Sequence, residues 1–246
     1  MLLSISPEAF KRLERYLPRG LVHRDDAGSI DHAIGQLARL ILMQRLHPGQ
    51  KVPMDEIAES IGVSRTPVRE AMRLLETEGL VHSLPNRGFA VRRLDPEETR
   101  NLYTARICME TYLAADAFRN RNKAFVSDLK ALHRIYAQVL GGSGDRRRLG
   151  MLVDKAVHLR IAEQANNPYL VRVLANTFDR LILTRPLDGF PVDRMSFAVA
   201  EHEAILTAFE GESPKAAATA LGRNIEHGAA AIIKYLNTLE DFSVTA

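Results

Sequence analysis

The chain is poor in the features that define several protein classes. It has one cysteine, Cys108, in 246 residues, and no tryptophan. A lone cysteine excludes an internal disulfide and fits a reducing compartment. No apolar run reaches the ~18 residues that a membrane-spanning helix needs, and the N-terminus lacks a signal-peptide layout, so a cytoplasmic location is expected. Tandem repeats at solenoid periods and low-complexity tracts are also missing. A formal charge of +3 is too small to establish nucleic-acid binding. Its distribution says more. Between Gly62 and Arg93 six arginines (Arg65, Arg69, Arg73, Arg87, Arg92, Arg93) face three glutamates (Glu70, Glu76, Glu78), a local excess where phosphate attraction would act. With 46% hydrophobic and 26% charged residues, the chain has an ordinary globular composition and is long enough for one or two domains with a real core.

The stretch from Asp55 to Met72 organises what is present. Ile57, Ala58 and Ile61 give a short helix one apolar stripe. Gly62 ends it, because a left-handed turn residue costs little without a Cβ. Ser64 is placed to cap the next helix, whose first turn tolerates Pro67. In that second helix Val68, Ala71, Met72 and Leu75 share one face and should pack on the first helix. Arg65, Arg69 and Arg73 fall on a separate stripe. A rigid helix with an arginine stripe suits insertion into a DNA major groove; the alternative is a solvated amphipathic helix with nothing bound to it.

Upstream, residues 1–28 form an extension in which Ser6-Pro7-Glu8 opens a candidate helix, and Ile30–Leu46 reads as a strongly amphipathic helix broken at His47-Pro48-Gly49-Gln50. Downstream, Gly79 closes the arginine-bearing helix. Leu80–Leu84 and Phe89–Arg93 then read as two strands around Pro85-Asn86-Arg87-Gly88, a hairpin with Arg87 at its tip. Three helices and a wing make a winged helix-turn-helix domain, residues 29–93.

The run I-A-E-S-I-G-V-S-R-T-P-V-R-E-A-M-R-L-L-E-T-E-G-L-V, followed by N-R-G-F-A-V, resembles the GntR family of bacterial transcription regulators. The resemblance implies that Arg65 and Arg69 approach bases and that Thr66 and the wing backbone near Gly88 help to hold the DNA. Some members carry an arginine at the start of the first of the two helices, where this chain has Asp55; that contact is expected to be missing.

From Asp95, which caps a helix with Pro96 in its first turn, every segment of residues 94–246 reads as helical. The expected helices are 96–119, 123–140, 145–165, 168–184, 192–210 and 214–238, an antiparallel all-α bundle. The fold class is therefore mainly α. The pieces A-R-I-C-M-E, D-K-A-V-H-L-R-I-A, A-N-N-P-Y-L and E-H-E-A-I-L-T-A-F-E-G-E resemble the FCD ligand-sensing domain.

Asp154 and His158, four apart on one helix, project to the same side, and His202 lies on a later helix. One carboxylate and two imidazoles suit a divalent metal of zinc, nickel or manganese type, with positions left for water or a small acid; the alternative is a common D-x-x-x-H pair whose histidines are ordinary surface or hydrogen-bonded residues. The resemblance implies that these three are metal ligands and that a fourth ligand follows His202 by 22 residues. It is usually a histidine; here it is Asn224. His227, one turn further on, is the possible substitute. Arg106 matches the family's pocket arginine and is expected to meet an effector carboxylate; its alternative is an i,i+4 pair with Glu110 on a solvated face. Tyr103, Tyr112, Phe178 and Arg185 are further candidates for a cavity wall.

Two functions from different classes compete, beside a third reading as a helical interaction protein whose charged stripe is only solvated. The first is a homodimeric repressor on a pseudo-palindromic DNA operator, responsive to a small organic acid effector in the helical domain. The second is a metallohydrolase using Asp154, His158 and His202 to activate water. It lacks any H-E-x-x-H-type motif and leaves the arginine stripe unexplained.

Overall fold

The computed structural model describes residues 29–140, 145–184, 192–211 and 213–244. The expected Ser6-Pro7-Glu8 helix and Arg185 lie outside the described residues. The described chain forms two compact units: residues 29–94 with 179–184, and residues 95–178 with 192–244.

In the first unit, helix α1 (Ser29–Leu42) precedes α2 (Met54–Ser60) and α3 (Arg65–Thr77), and the strands β1 (Val81–Leu84) and β2 (Gly88–Val91) follow. The three turns after these helices close by one device: a left-handed residue lets the next amide bond back five positions. Gly62 does this for α2, with Val63 N donating to Ala58 O at 3.0 Å. Gly79 does it for α3, with Leu80 N donating to Leu75 O at 3.0 Å. After α1 the residue is Gln44, φ 49°, and Arg45 N donates to Leu40 O at 2.7 Å. The helix expected to run to Leu46 thus stops at Leu42. Gln44 is held there by a long-range bond, its Nε2 donating to Ile182 O at 3.0 Å.

Val68, Ala71, Met72 and Leu75 are all buried. Their helix packs not only against α2, as the pattern suggested, but also against α1, the longer of the two. Ser64 holds the N-cap position of α3 with extended backbone, but its hydroxyl makes no capping bond. The strands are shorter than expected. They pair antiparallel from Val81 opposite Val91 to Leu84 opposite Gly88. Arg87 N donates to Leu84 O at 3.0 Å across a turn in which Asn86 takes φ 57°. The hairpin has an unexpected neighbour: Val52 N donates to Phe89 O (2.8 Å) and Val91 N to Gln50 O (2.9 Å), stitching the segment before α2 to β2.

The second unit is built of helices: α4 (Pro96–Arg119), α5 (Lys123–Leu140), α6 (Asp145–Gln164), residues 168–178 of α7 (Pro168–Ile182), α8 (Val192–Glu210) and α9 (Pro214–Val244). Asp95 caps α4 as its sequence predicts, accepting from Glu98 N at 2.6 Å. The principal packing pairs are α4 with α9, α5 with α6, α8 with α9, α4 with α6, and α5 with α8. The core of this unit includes Leu113, Phe118, Phe125, Val153, Ala156, Phe209 and Leu221. Phe125 meets Phe209 edge-on, ring centroids 5.3 Å apart. No helix among the described residues is long and apolar enough to cross a membrane.

Candidate DNA interface and candidate metal centre

Arg65, Thr66, Arg69 and Arg73 on α3 and Arg87 in the wing are exposed, and Gly88, φ 88°, is half-buried at the start of β2. Packing explains the α3 side chains: with Val68, Ala71, Met72 and Leu75 committed to the core, the helical period sends the arginines outward. Arg69, Arg73 and Arg87 have no ion partner among the described residues. Arg65 does have one. Its Nε lies 2.6 Å from Asp55 Oδ1, with both side chains largely exposed (77% and 64%). The residue that departs from the family pattern therefore sits against an expected base-contacting arginine.

The second unit brings together Asp154, His158 and His202, all buried. One ligand atom from each lies within 4.8 Å of the others. His202 Nε2 is 3.1 Å from Asp154 Oδ1, and His158 Nε2 is 3.8 Å from the same oxygen. Tyr136 stacks on His202 with ring centroids 4.1 Å apart. Burial pushes the His202 imidazole below its usual range, opposed by its bond to Asp154 and that residue's charge. His158 Nε2 is buried with no hydrogen-bond partner, as are His202 Nδ1 and the Tyr103 hydroxyl.

An orphaned buried imidazole nitrogen is costly, and a cation beside it would remove the cost. The donor set, one carboxylate oxygen and two imidazoles, suits a borderline divalent ion held at ~2.0–2.2 Å. Two of the three separations, 3.1 and 3.8 Å, are close to the spacing of two ligands on one such ion. The residues fit a metal.

Behind His158 is a pair that sequence alone half revealed. Arg106 and Glu110 form the i,i+4 pair expected of a solvated face, but both are 1% exposed. Arg106 Nε donates to Glu110 Oε1 at 2.6 Å, and its guanidinium lies 3.9 Å from the Phe178 ring centroid. The other carboxylate oxygen of Glu110, Oε2, takes His158 Nδ1. Burial pushes the Glu110 carboxyl up, but Arg106 and His158 outweigh it and hold the group below its usual range. With Glu110 ionised, the proton on His158 Nδ1 belongs in that bond. The 3.3 Å approach of Arg106 Nη2 to Nδ1 then sets two donors side by side and is not a hydrogen bond. The carboxylate that Arg106 holds is Glu110's own.

Asn224 is buried, and its Nδ2 donates to Glu201 Oε2 at 3.2 Å. A carboxylate only accepts, so this bond fixes the amide orientation and leaves Oδ1 as the atom available to a ligand. His227 does not substitute. It is exposed, with Nδ1 2.5 Å from Glu201 Oε1. Tyr103 and Phe178 are buried beside Arg106, whereas Tyr112 is exposed and lines nothing internal. Glu110, Tyr136 and Glu201 were missed. Glu110 had only its spacing from Arg106 to announce it, and the other two gave no signal.

Comparison with known proteins finds a separate family match in each of the two regions. Residues 29–91 match the model for bacterial regulatory proteins of the gntR family, and residues 101–227 match the FCD domain. An uncharacterized HTH-type transcriptional regulator, YdhC of Bacillus subtilis, is 26% identical over 183 residues, spanning 74% of this chain and 81% of its own. A probable D-xylose utilization operon transcriptional repressor of Paenarthrobacter nicotinovorans is 29% identical over 187 residues, 75% of this chain and 80% of its own. The fold matches the solved structure of E. coli McbR/YncC with a TM-score of 0.74 at 19% identity, covering 85% of this chain and 99% of that one. The metallohydrolase alternative finds no support among these relatives. The chain belongs to the gntR family of bacterial regulatory proteins, as a DNA-binding transcription regulator with an FCD domain and not an enzyme.

Proposed function

We propose that this regulator is a cytoplasmic homodimeric repressor, with residues 29–93 reading a pseudo-palindromic operator and residues 94–246 sensing a small organic acid. Arg65, Arg69 and Arg73 enter the major groove, Thr66 and the backbone near Gly88 fix the register on phosphates, and Arg87 reaches from the wing. The observation that supports this is the exposure of all three stripe arginines on a helix whose other face is committed to the core. The repressor assignment follows the named role of the Paenarthrobacter relative.

In the helical unit, Asp154, His158 and His202 hold a divalent metal, with Asn224 Oδ1 as a weaker fourth ligand. A bound metal would offer the effector's carboxylate or hydroxyl oxygen an electrophilic partner. Arg106 belongs to the same site, bracing it through Glu110. An effector that binds one arrangement of the dimer better than another shifts the affinity for DNA by the same linkage.

The test combines elemental analysis with operator binding. Protein purified from metal-supplemented medium should carry a divalent metal that His158→Ala loses, while metal-free His158→Ala still shifts operator DNA located by genome-wide binding. Metal-free wild-type protein would end the metal assignment. Failure of a well-folded protein to bind any mapped site would end the operator assignment.

A further inference from the structure

We propose that Glu110 is a positioning residue for the metal centre. It fixes His158 as the Nδ1–H tautomer with its Nε2 lone pair turned toward Asp154 and His202, and Arg106 serves to hold Glu110 in place. The inference rests on the metal reading above and says how the site is kept ready for its ion.

Three observations carry it. Both oxygens of Glu110 are used, Oε1 by Arg106 Nε at 2.6 Å and Oε2 by His158 Nδ1. His158 Nε2 is buried and has no hydrogen-bond partner, yet it lies 3.8 Å from the oxygen of Asp154 that His202 approaches to 3.1 Å. The Arg106–Glu110 pair is itself desolvated, 1% exposed, and Phe178 covers the guanidinium. A buried ion pair of this kind is costly to assemble and seldom improves on an apolar replacement. A role in setting another group's geometry accounts for its presence.

A metal-binding imidazole is oriented by whatever accepts the proton on its other nitrogen, and a carboxylate acceptor also raises the basicity of the ligating nitrogen. Glu110 stands in that relation to His158. The arrangement also redefines Arg106. Its Nε and its charge are committed to an internal carboxylate, so effector acids need not displace Glu110 if the metal receives them.

Long-range 1H–15N spectra of the metal-free wild-type protein, with the His158 signals assigned by their loss in His158→Gln, read the tautomer directly. The expected result is a protonated Nδ1 and a lone-pair Nε2; protonation at Nε2 alone overturns the proposal. Cobalt(II) titration followed by its visible absorption then compares wild type with Glu110→Gln. Removal of such a partner typically weakens metal binding about 10–100-fold, and an unchanged cobalt affinity in a folded variant would refute the role. If Glu110→Gln does not fold, the double variant Arg106→Leu/Glu110→Met removes both charges together, and the same loss is expected of it. A wild-type protein that binds no cobalt while showing the Nδ1–H tautomer would reject the metal reading and keep Glu110 as the group that orients His158.

Discussion

Arg69 and Arg73 stand exposed on the head with no ion partner among the described residues, whereas Arg106 is 1% exposed, bonded to Glu110 and covered by Phe178. The same guanidinium serves opposite ends. On the head, water screens each charge and nothing in the fold depends on it, so the cost of holding it is small and the group is free to meet a phosphate or a base edge. In the bundle the charge survives only because its partner is within bonding distance, and it cannot be removed without leaving that partner stranded. Arginines that read a ligand are cheap to the fold; an arginine that braces a site is not.

The sharpest way to break this contrast is to strip one side of the buried pair. Glu110→Ala leaves Arg106 buried and uncompensated and should destabilise the protein by about 3–5 kcal/mol in urea denaturation, against about 0.5 kcal/mol or less for Arg69→Ala. Comparable losses would mean that the two environments do not differ as described. On DNA the ranking reverses. In a gel-shift titration, Arg69→Ala should weaken specific operator binding by about 1–3 kcal/mol, and unchanged binding would remove α3 from the major groove.

Acidity separates the regions next. Burial holds the His202 imidazole below its ordinary 6.5, so as pH falls through that ordinary value the unfolded chain takes up a proton that the folded one refuses. The metal-free protein should therefore lose stability below pH 6.5, and lose it again below 4.5 as Glu110, also lowered in the fold, is forced to protonate. Thermal melts across this range check both steps, and His202→Gln should abolish the first. Smallest is the effect at the edge of the head. Asp55→Ala frees Arg65 from an exposed pair and should strengthen DNA binding by about 1 kcal/mol or less. Weaker binding would show instead that Asp55 holds Arg65 in its productive pose.

The sequence was most legible where structure is set locally. Pro96, Pro168 and Pro214 open helices within a residue of where the pattern placed them, because a proline in the first turn carries its own geometry. Gly62 and Gly79 close helices for the reason that glycine predicts. Gln44 performs the same closure and was invisible, since its partner is the carbonyl of Ile182, 138 residues away. The site divides along the same line. Asp154 and His158 could be paired from helical spacing, and Arg106 with Glu110 likewise. That Glu110 reaches across 48 residues to His158, and Glu201 across 23 to Asn224, depends on how helices pack, which no spacing within one helix contains. The interior of the bundle turned an i,i+4 pair expected in solvent into the brace of a buried site.

The Asp55–Arg65 pair also bears on how many ions leave the DNA on binding. When an unpaired arginine neutralises a phosphate, about one condensed counterion leaves the DNA, and each such contact steepens the dependence of log affinity on log salt. Arg65 arrives with a carboxylate 2.6 Å away, and the two carry no net charge between them. Its approach therefore releases little, and the salt slope of operator binding should count Arg69, Arg73 and Arg87 while passing over Arg65. Asp55→Ala would restore the missing increment. The slope thus reveals which arginines reach the DNA already spoken for.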